Sequence, residues 1–181
     1  MHKVIFLDRD GVIIEDAHYL RDPKRVQLCP NAVEGIKIMR TKGYTLFVVS
    51  NQSGVGRGYI TMEEYRAVHE RCVEVLASKG TTMDGWGYYI HAPDIECECR
   101  KPNIGMVVKL LSDAHMHRSN LDHVVMIGDR ETDIQLGKNI NAQCFLVLTG
   151  KGSETYIELL KRESEPPHTE HTLLEIANLL P

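Results

Sequence analysis

Three aspartates stand directly after apolar, β-prone runs of this sequence. Asp8 and Asp10 follow the run Val4 to Leu7, and Asp129 follows the run Val124 to Ile127. A single Asp in such a place is most often a turn former or a helix cap. Three carboxylates at converging strand ends would repel one another unless a hard cation lay among them, and Mg²⁺ prefers oxygen ligands. We therefore expect magnesium at these aspartates.

The same residues could carry out phosphoryl transfer. A carboxylate is a competent nucleophile toward phosphorus, and a covalent intermediate divides hydrolysis into two easier steps. Asp8 would attack, while Asp10 would protonate the leaving oxygen and later accept a proton from water. Ser50, Lys101 and backbone amides after Asp8 would donate to the phosphoryl oxygens. Gly11 would allow a tight turn beside the phosphate. The residues predict a phosphatase that forms an aspartyl-phosphate.

Strands and helices that alternate along the chain must position these side chains. Buried strands are predicted at Val4 to Leu7, Tyr44 to Val49, Trp86 to Ile90, Val124 to Ile127 and Cys144 to Leu148. Helical spacing marks five segments between and after them: Ala32 to Met39, Tyr65 to Val75, Val107 to Leu111, Ile134 to Ile140 and Leu173 to Leu180. This order predicts an α/β fold with a central parallel sheet between two helical layers, and ligands bind beyond the carboxyl ends of such strands.

Local signals define some boundaries of these elements. Asn31 is a candidate N-cap for the first helix, and Thr61 with Glu64 has the spacing of a capping box. We expect a single domain over residues 1–181. The links 13–30 and 90–103 are long for a compact domain, so we expect them to cover or shape the pocket.

The composition limits the function classes. The chain has 181 residues, 43% of them apolar, and a net charge of −4. Charges of both signs are interspersed, which argues against nucleic acid and anionic membranes as partners. We find no apolar run long enough to span a membrane and no signal peptide, and five cysteines do not suggest a disulfide framework. We expect a cytoplasmic monomer.

Four segments in order resemble the motifs of the haloacid dehalogenase superfamily of phosphatases. They are Asp8-Arg9-Asp10-Gly11, Ser50-Asn51-Gln52, Arg100-Lys101-Pro102 and Gly128-Asp129-Arg130-Glu131-Thr132-Asp133. The resemblance implies a Rossmann-like three-layer sandwich. It also implies Asp8 as nucleophile, Asp10 as acid and base, and Ser50 and Lys101 as phosphate ligands. Magnesium would be held by Asp8, the Asp10 carbonyl and Asp129. Val12 stands where the motif often has Thr, so one supporting hydrogen bond is missing.

Further segments resemble the heptose 1,7-bisphosphate phosphatases of that superfamily, and their relatives the histidinol-phosphate phosphatases. They are Asn51 to Gly58, Cys97 to Pro102 and Thr149 to Gly152. This resemblance implies that there is no separate cap domain, so the long links would determine specificity. The expected substrate contacts are Arg9, Gly11, Asp16, Tyr19, Asn51, Gln52, Ser53, Arg57, Arg100 and Arg130. The expected substrate is a heptose bisphosphate that loses its C7 phosphate in the pathway to nucleotide-activated heptose.

The resemblance also implies a structural zinc ion. His91, Cys97 and Cys99 occupy ligand positions, but Tyr89 or Ile90 stands where the first cysteine belongs. Structural zinc is usually four-coordinate. Two alternatives stay open: zinc with water or another group as its fourth ligand, or no zinc and free thiols.

Other functions are compatible with parts of this pattern. Histidinol-phosphate hydrolysis is the nearest, followed by a phosphosugar-binding protein without turnover and a nucleic-acid end-processing phosphatase. The cluster Gly54, Gly56 and Gly58 does not have the spacing of a dinucleotide fingerprint, so we expect a flexible loop near the pocket.

Overall fold

Six parallel strands form one twisted sheet in the computed structural model, which describes residues 2–92, 97–162 and 166–181. The strands are β1 (His2–Leu7), β2 (Tyr44–Asn51), β3 (Gly85–Tyr89), β4 (Leu121–Gly128), β5 (Gln143–Val147) and β6 (His168–Glu170). Their order across the sheet is β3-β2-β1-β4-β5-β6, so β1 lies in the middle between β2 and β4. This arrangement places the first and fourth predicted strands side by side, with their carboxyl ends at the same edge.

Helices connect the strands and cover the sheet. They are α1 (Ala32–Thr41), α2 (Ser53–Gly56), α3 (Met62–Ser78), α4 (Gly105–Asp113), α5 (Glu131–Asn139), α6 (Gly152–Lys161) and α7 (Leu173–Leu179). None of the helices in the described ranges is long and apolar enough to cross a membrane.

The alternation of side chains along β1 divides the core into two layers. Ile5 and Leu7 pack on one face of the sheet with buried residues of α1, α3 and α7. Val4 and Phe6 pack on the other face with buried residues of α4 and α5. All four β1 side chains are fully buried, which is typical of a parallel strand covered on both sides. The predicted α/β sandwich with a central parallel sheet is confirmed.

Of the strands and helices that the sequence did not predict, β6 and α2 have four residues or fewer, whereas α6 has ten. The strand β6 has three residues, all polar, and lies at the edge of the sheet beside β5. The helix α2 covers Ser53 to Gly56, where we expected a flexible loop. The helix α6 was also missed. Hydrophobic periodicity needs several consecutive residues, so it does not detect elements of three or four residues.

The two predicted cap signals have different outcomes. The capping box of Thr61 and Glu64 is present at the start of α3, with both reciprocal hydrogen bonds. Asn31 precedes α1 as predicted, but its side chain makes no capping hydrogen bond within the described part of the chain. Its backbone has a φ of 58°, which is left-handed rather than the extended conformation of a typical N-cap.

The link 13–30 is ordered and lies next to the carboxyl end of β1. The amide of Cys29 donates to the Ile13 carbonyl at 2.9 Å, and the amide of Glu15 donates to the Gln27 carbonyl at 2.9 Å. The two sides of the link are therefore held together over the edge where the aspartates lie. Residues 93–96 of the second link are outside the described residues.

Candidate active site

Asp8, Ser50 and Asp129 lie at the carboxyl ends of three neighbouring strands. Asp8 directly follows β1, Ser50 is the penultimate residue of β2, and Asp129 directly follows β4. The amide of Asp8 still donates to the Ile127 carbonyl of β4 at 3.0 Å, so the sheet fixes its backbone. The structure brings these predicted residues together because β1 lies between β2 and β4.

Lys101 provides a buried positive charge at this edge. Its side chain is almost fully buried, and Nζ lies 3.0 Å from Asp8 Oδ2 and 2.6 Å from Asp133 Oδ1. Nζ also donates to the Val49 carbonyl at 2.8 Å. Burial alone would lower the pKa of Lys101, but the two carboxylates offset this effect and raise it. Lys101 therefore stays charged beside Asp8.

Asn51 holds the backbone of Lys101 in place. Its side-chain oxygen accepts from the Lys101 amide at 3.0 Å, and its side-chain nitrogen donates to the Lys101 carbonyl at 3.2 Å. This pair of hydrogen bonds joins the end of β2 to the second link. Asn51 was predicted to contact substrate, and its side chain both supports Lys101 and forms part of the cavity wall.

The carboxylates at this edge have strongly perturbed acidity. Burial raises the pKa of Asp8 to about 6, with Lys101 opposing the increase and Asp133 adding to it. Burial also raises the pKa of Asp129 to about 8, and the negative charges of Asp8 and Asp133 add to that effect. Charged carboxylates are thus unfavourable here without a cation.

The donor set fits a hard divalent cation. One oxygen from each of Asp8, Asp129 and Asp133 lies within 4.8 Å of the others. Asp129 Oδ2 accepts from the Lys151 amide at 2.7 Å, but the buried Asp129 Oδ1 accepts no hydrogen bond from any described residue. A buried carboxylate oxygen without a partner is unusual in a native protein. These residues offer the oxygen ligands that Mg²⁺ requires.

Two glycines leave room around Asp129. A Cβ at Gly11 would lie 2.2 Å from Asp129 Oδ2, and a Cβ at Gly150 would lie 2.4 Å from the same atom. Both glycines also have positive φ, 80° and 56°. Gly11 was predicted as a tight turn beside the phosphate. In the structure Gly11 lies against the Asp129 carboxylate.

Two neighbouring side chains donate hydrogen bonds to the Asp10 carboxylate. Arg9 donates to both of its carboxylate oxygens, and Gln52 Nε2 donates to Asp10 Oδ2 at 2.7 Å. The same Gln52 nitrogen lies 2.8 Å from Ser50 Oγ. The side chain of Asp10 is not part of the oxygen cluster around Asp129 among the described residues, so only its carbonyl is available for the predicted magnesium contact.

These groups open into one cavity of about 280 Å³. Both long links contribute to its lining, as the sequence predicted. The lining residues are Asp8, Arg9, Asp10, Asp16, His18, Tyr19, Leu20, Ser50, Asn51, Gln52, Ser53, Gly54, Arg100, Lys101, Arg130 and Thr132. The polar and charged majority of this lining suits a small phosphorylated molecule.

One wall of the cavity is a strained part of the first link. His18 and Tyr19 have φ values of 46° and 57°, which non-glycine residues seldom adopt. Asp16 Oδ2 accepts from Arg130 Nη2 at 2.8 Å and fixes the start of this wall to the end of β4. A Cβ at Gly54 would lie 2.5 Å from the Tyr19 ring, so α2 approaches the wall closely. Such strain persists where the surrounding contacts hold the segment in place.

Several predicted residues do not join the cavity. Arg57 is exposed after the end of α2 and lies outside the lining formed by the described residues. His91, Cys97 and Cys99 do not bring three ligand atoms together, since the oxygen cluster of Asp8, Asp129 and Asp133 is the one such group among residues 2–92, 97–162 and 166–181. The zinc site stays a prediction.

Several residues of the site were not assigned from the sequence, among them Asp133, Thr132, Leu20 and Gly54. Asp133 contacts Lys101 and joins the oxygen cluster, and Thr132 lines the cavity. Asp133 and Thr132 both lie in the fourth motif segment, Gly128 to Asp133, and this is the sequence signal that could have found them.

Comparisons with known proteins agree with this fold and site. The profile of the HAD-hydrolase-like family matches residues 98–176. The chain is 36% identical over 149 residues to a Helicobacter pylori protein, which covers 82% of this chain and 84% of that one. It is 36% identical over 154 residues to a Pseudomonas putida protein, with 84% and 86% covered. Both relatives are named D-glycero-beta-D-manno-heptose-1,7-bisphosphate 7-phosphatase.

A solved structure is similar over nearly the whole chain. It is the D,D-heptose 1,7-bisphosphate phosphatase from B. bronchiseptica, complexed with magnesium and phosphate. The TM-score is 0.84 at 28% identity, and 97% of this chain and 96% of that chain are covered. The fold and site define a phosphoric monoester hydrolase of the haloacid dehalogenase class. Within that class, the chain belongs to the family that contains these heptose bisphosphate phosphatases.

Proposed function

We propose that this phosphatase removes the C7 phosphate from D-glycero-D-manno-heptose 1,7-bisphosphate through an aspartyl-phosphate on Asp8. The observation that carries the proposal is the contact of the buried Lys101 ammonium with Asp8 and Asp133 at the floor of a polar cavity. The names of relatives that cover more than four fifths of the chain support the substrate.

In the first half of the reaction, Asp8 attacks the phosphorus of the C7 phosphate. A bond forms between an Asp8 oxygen and phosphorus, and the bond between phosphorus and the sugar oxygen breaks. Asp10 gives its proton to that leaving oxygen. Lys101 and Ser50 lie where they can hold the charge of the phosphoryl oxygens during transfer.

In the second half, water replaces Asp8 on phosphorus. Asp10 accepts a proton from the attacking water, a new oxygen–phosphorus bond forms, and Asp8 leaves as a carboxylate. Inorganic phosphate is then released. Residues of the first link and of α2 line the cavity around the proposed intermediate.

We propose that Asp8, Asp129 and the Asp10 carbonyl hold Mg²⁺, with Asp133 as a further oxygen nearby. When bound, the ion neutralises charge on the phosphoryl group and on the surrounding carboxylates. The Asp129 Oδ1 atom, which is buried and accepts no hydrogen bond among the described residues, supports this assignment. The related structure that is complexed with magnesium and phosphate supports it as well.

The rim of the cavity supports a substrate with a second phosphate. Arg100 and Arg130 line the cavity at its more exposed part, separate from the buried Lys101. Arginine is well suited to phosphate because its planar guanidinium donates two parallel hydrogen bonds. We propose that these two arginines contact the substrate, together with Asp16, Tyr19 and Ser53.

The test is phosphate release from heptose 1,7-bisphosphate and from histidinol phosphate under the same conditions, with Mg²⁺ present. We expect kcat/KM for the heptose bisphosphate to exceed that for histidinol phosphate by more than about tenfold, which is 1.4 kcal/mol in the barrier. A preference of that size for histidinol phosphate would overturn the proposed substrate. Analysis of the product should show heptose 1-phosphate.

We also propose that the enzyme is a cytoplasmic monomer. Size-exclusion chromatography with light scattering should give the mass of one chain, 20.5 kDa. Cell fractionation checks the location. Elemental analysis of the purified protein decides between zinc at His91, Cys97 and Cys99 and free thiols.

A further inference from the structure

The guanidinium of Arg9 makes its polar contacts inside the protein, although the residue lines the cavity. Its Nε lies 3.0 Å from Asp10 Oδ2 and its Nη2 lies 3.0 Å from Asp10 Oδ1. The remaining Nη1 is buried without a hydrogen-bond partner in the described ranges. Arg9 as a whole is 3% exposed. No nitrogen of this side chain is therefore both accessible and available for a substrate phosphate.

The guanidinium of Arg9 also contacts an aromatic ring. Its guanidinium carbon lies 5.8 Å from the ring centroid of Tyr65, which is itself buried on α3. This distance is within the range of a cation–π contact. Burial disfavours the charge of Arg9, but the carboxylate of Asp10 offsets this effect and raises the pKa of Arg9. Arg9 therefore stays positively charged beside Asp10.

The backbone of Arg9 is fixed as well. Its carbonyl accepts from the amides of Ile13 and Ile14, and its amide donates to Asp8 Oδ1 at 2.7 Å. The side chain of Arg9 therefore extends from a fixed backbone, and its guanidinium contacts both the ring of Tyr65 and the carboxylate of Asp10. A two-point contact on a planar carboxylate fixes the plane of that group, whereas a single contact leaves it free to rotate.

Gln52 is the second side chain that holds Asp10. Its side-chain nitrogen is within hydrogen-bond distance of Asp10 Oδ2 and of Ser50 Oγ. Asp10 thus accepts three hydrogen bonds from two side chains. The same contacts relate its orientation to the position of Ser50, a proposed phosphate ligand.

We propose that Arg9 is a positioning residue that, together with Gln52, fixes the orientation of Asp10 for proton transfer, and that it does not contact the substrate. This inference rests on the proposed function. It replaces the substrate contact that the sequence resemblance implied for Arg9. Without the two hydrogen bonds from Arg9 Nε and Nη2, the Asp10 carboxylate can rotate away from the leaving oxygen and from the attacking water.

The experiment compares Arg9→Met with the wild type, with Mg²⁺ and heptose bisphosphate. We expect kcat to fall about 100-fold, the size of effect that a small misplacement of a reacting group produces, while KM changes by less than about threefold. The exposed Arg66→Met on α3 is the matched control and should behave as the wild type. An increase in KM with unchanged kcat would overturn the inference in favour of substrate contact.

A second readout separates positioning from a general structural effect. Arg9→Met is repeated in an Asp10→Asn background with p-nitrophenyl phosphate as the substrate. Since Arg9 acts through Asp10, we expect it to change the residual kcat by less than about twofold there. An undiminished loss in this background would show that Arg9 acts by another route and would overturn the inference.

Arg9→Lys tests the same inference if Arg9→Met does not fold. Lysine keeps the positive charge but cannot make the two-point contact with the Asp10 carboxylate. We therefore expect a kcat between that of the wild type and that of Arg9→Met, with an unchanged KM. A wild-type kcat in Arg9→Lys would show that the two-point contact with Asp10 is unnecessary and would contradict the inference. If the wild type releases no phosphate, the proposed function fails; if it does and Arg9→Met retains kcat, the inference about Arg9 alone fails.

Discussion

The floor and the rim of the cavity are built in different ways. The floor consists of Asp8 and Lys101, which line the cavity, and of the two carboxylates next to them, Asp129 and Asp133. All four residues are buried. The rim consists of Asp16, His18, Tyr19, Arg100 and Arg130, which are exposed or half-buried and lie on links or just past a strand. Buried charges interact strongly because little water screens them, whereas exposed charges are screened.

This difference separates chemistry from selectivity. A change in the floor alters charges that hold one another in place, so it should affect turnover and folding together. A change in the rim removes a contact that solvent partly replaces, so it should affect substrate binding while the fold is retained.

The largest effect should come from Asp8→Asn. The amide is a poor nucleophile, so kcat should fall at least about 1,000-fold. Phosphate release in the presence of Mg²⁺ is the measurement. Asp122→Asn, an exposed residue near the amino end of β4, serves as the control and should keep its activity. Activity of Asp8→Asn close to the wild type would refute the aspartyl-phosphate mechanism.

Lys101→Met should affect activity and stability together. It leaves Asp8 and Asp133 buried without their cation, and removing one partner of a buried ion pair costs about 3 kcal/mol or more. We also expect kcat to fall about 100-fold or more, because a phosphate ligand is lost. Urea unfolding and phosphate release are measured in parallel. The exposed Lys138→Met on α5 is the control. An unchanged unfolding free energy would contradict the strong coupling of charges in the floor.

Magnesium affinity should depend on pH in a defined direction. The folded-state pKa of Asp129 is about 8 and that of Asp8 is about 6 in the metal-free protein, against 3.8 for an ordinary Asp. The folded state then holds more protons than the unfolded state above pH 3.8, so these groups make the metal-free protein less stable as pH rises toward 8. Mg²⁺ must displace these protons to bind.

We therefore expect Mg²⁺ affinity to increase by up to about tenfold per pH unit between about pH 6 and 8. The increase in melting temperature at a fixed Mg²⁺ concentration should accordingly be larger at the upper end of this range than at the lower end. Calorimetric titration and thermal unfolding measure the two quantities. Asp129→Asn should abolish the Mg²⁺ effect throughout the range. Equal affinity at both ends would show that these carboxylates are not the ligands.

The smallest effect should come from Arg130→Ala at the rim. Arg130 is 49% exposed at its side chain, and its ion pair with Asp16 should contribute less than about 1 kcal/mol to folding. We expect KM for the bisphosphate to rise about tenfold with kcat changed much less, since a substrate contact is lost. Steady-state kinetics and thermal unfolding are compared with Arg66→Ala. A large loss of stability with unchanged KM would place Arg130 with the floor rather than the rim.

The sequence by itself determined the fold class and most of the floor. Apolar runs that bury on both faces predict parallel strands, and parallel strands present their carboxyl ends at one edge, so the sequence predicts Asp8, Ser50 and Asp129 at that edge. The structure supplied the strand order that makes the three neighbours. Asp133 was missed, although it is the last residue of the fourth motif segment, Gly128 to Asp133. Short elements such as α2 and β6 were missed because three or four residues carry too little periodicity.

The tertiary structure alone decided what each polar side chain contacts. Arg9 and Asn51 were expected at the substrate and both line the cavity, and the structure adds that Arg9 hydrogen-bonds to Asp10 and Asn51 to the backbone of Lys101. Arg57 was expected in the site and lies exposed outside its lining. The physical reason is that strand and helix patterns depend on neighbours along the chain, whereas the partner of a polar side chain depends on which distant segments the fold brings within about 3 Å.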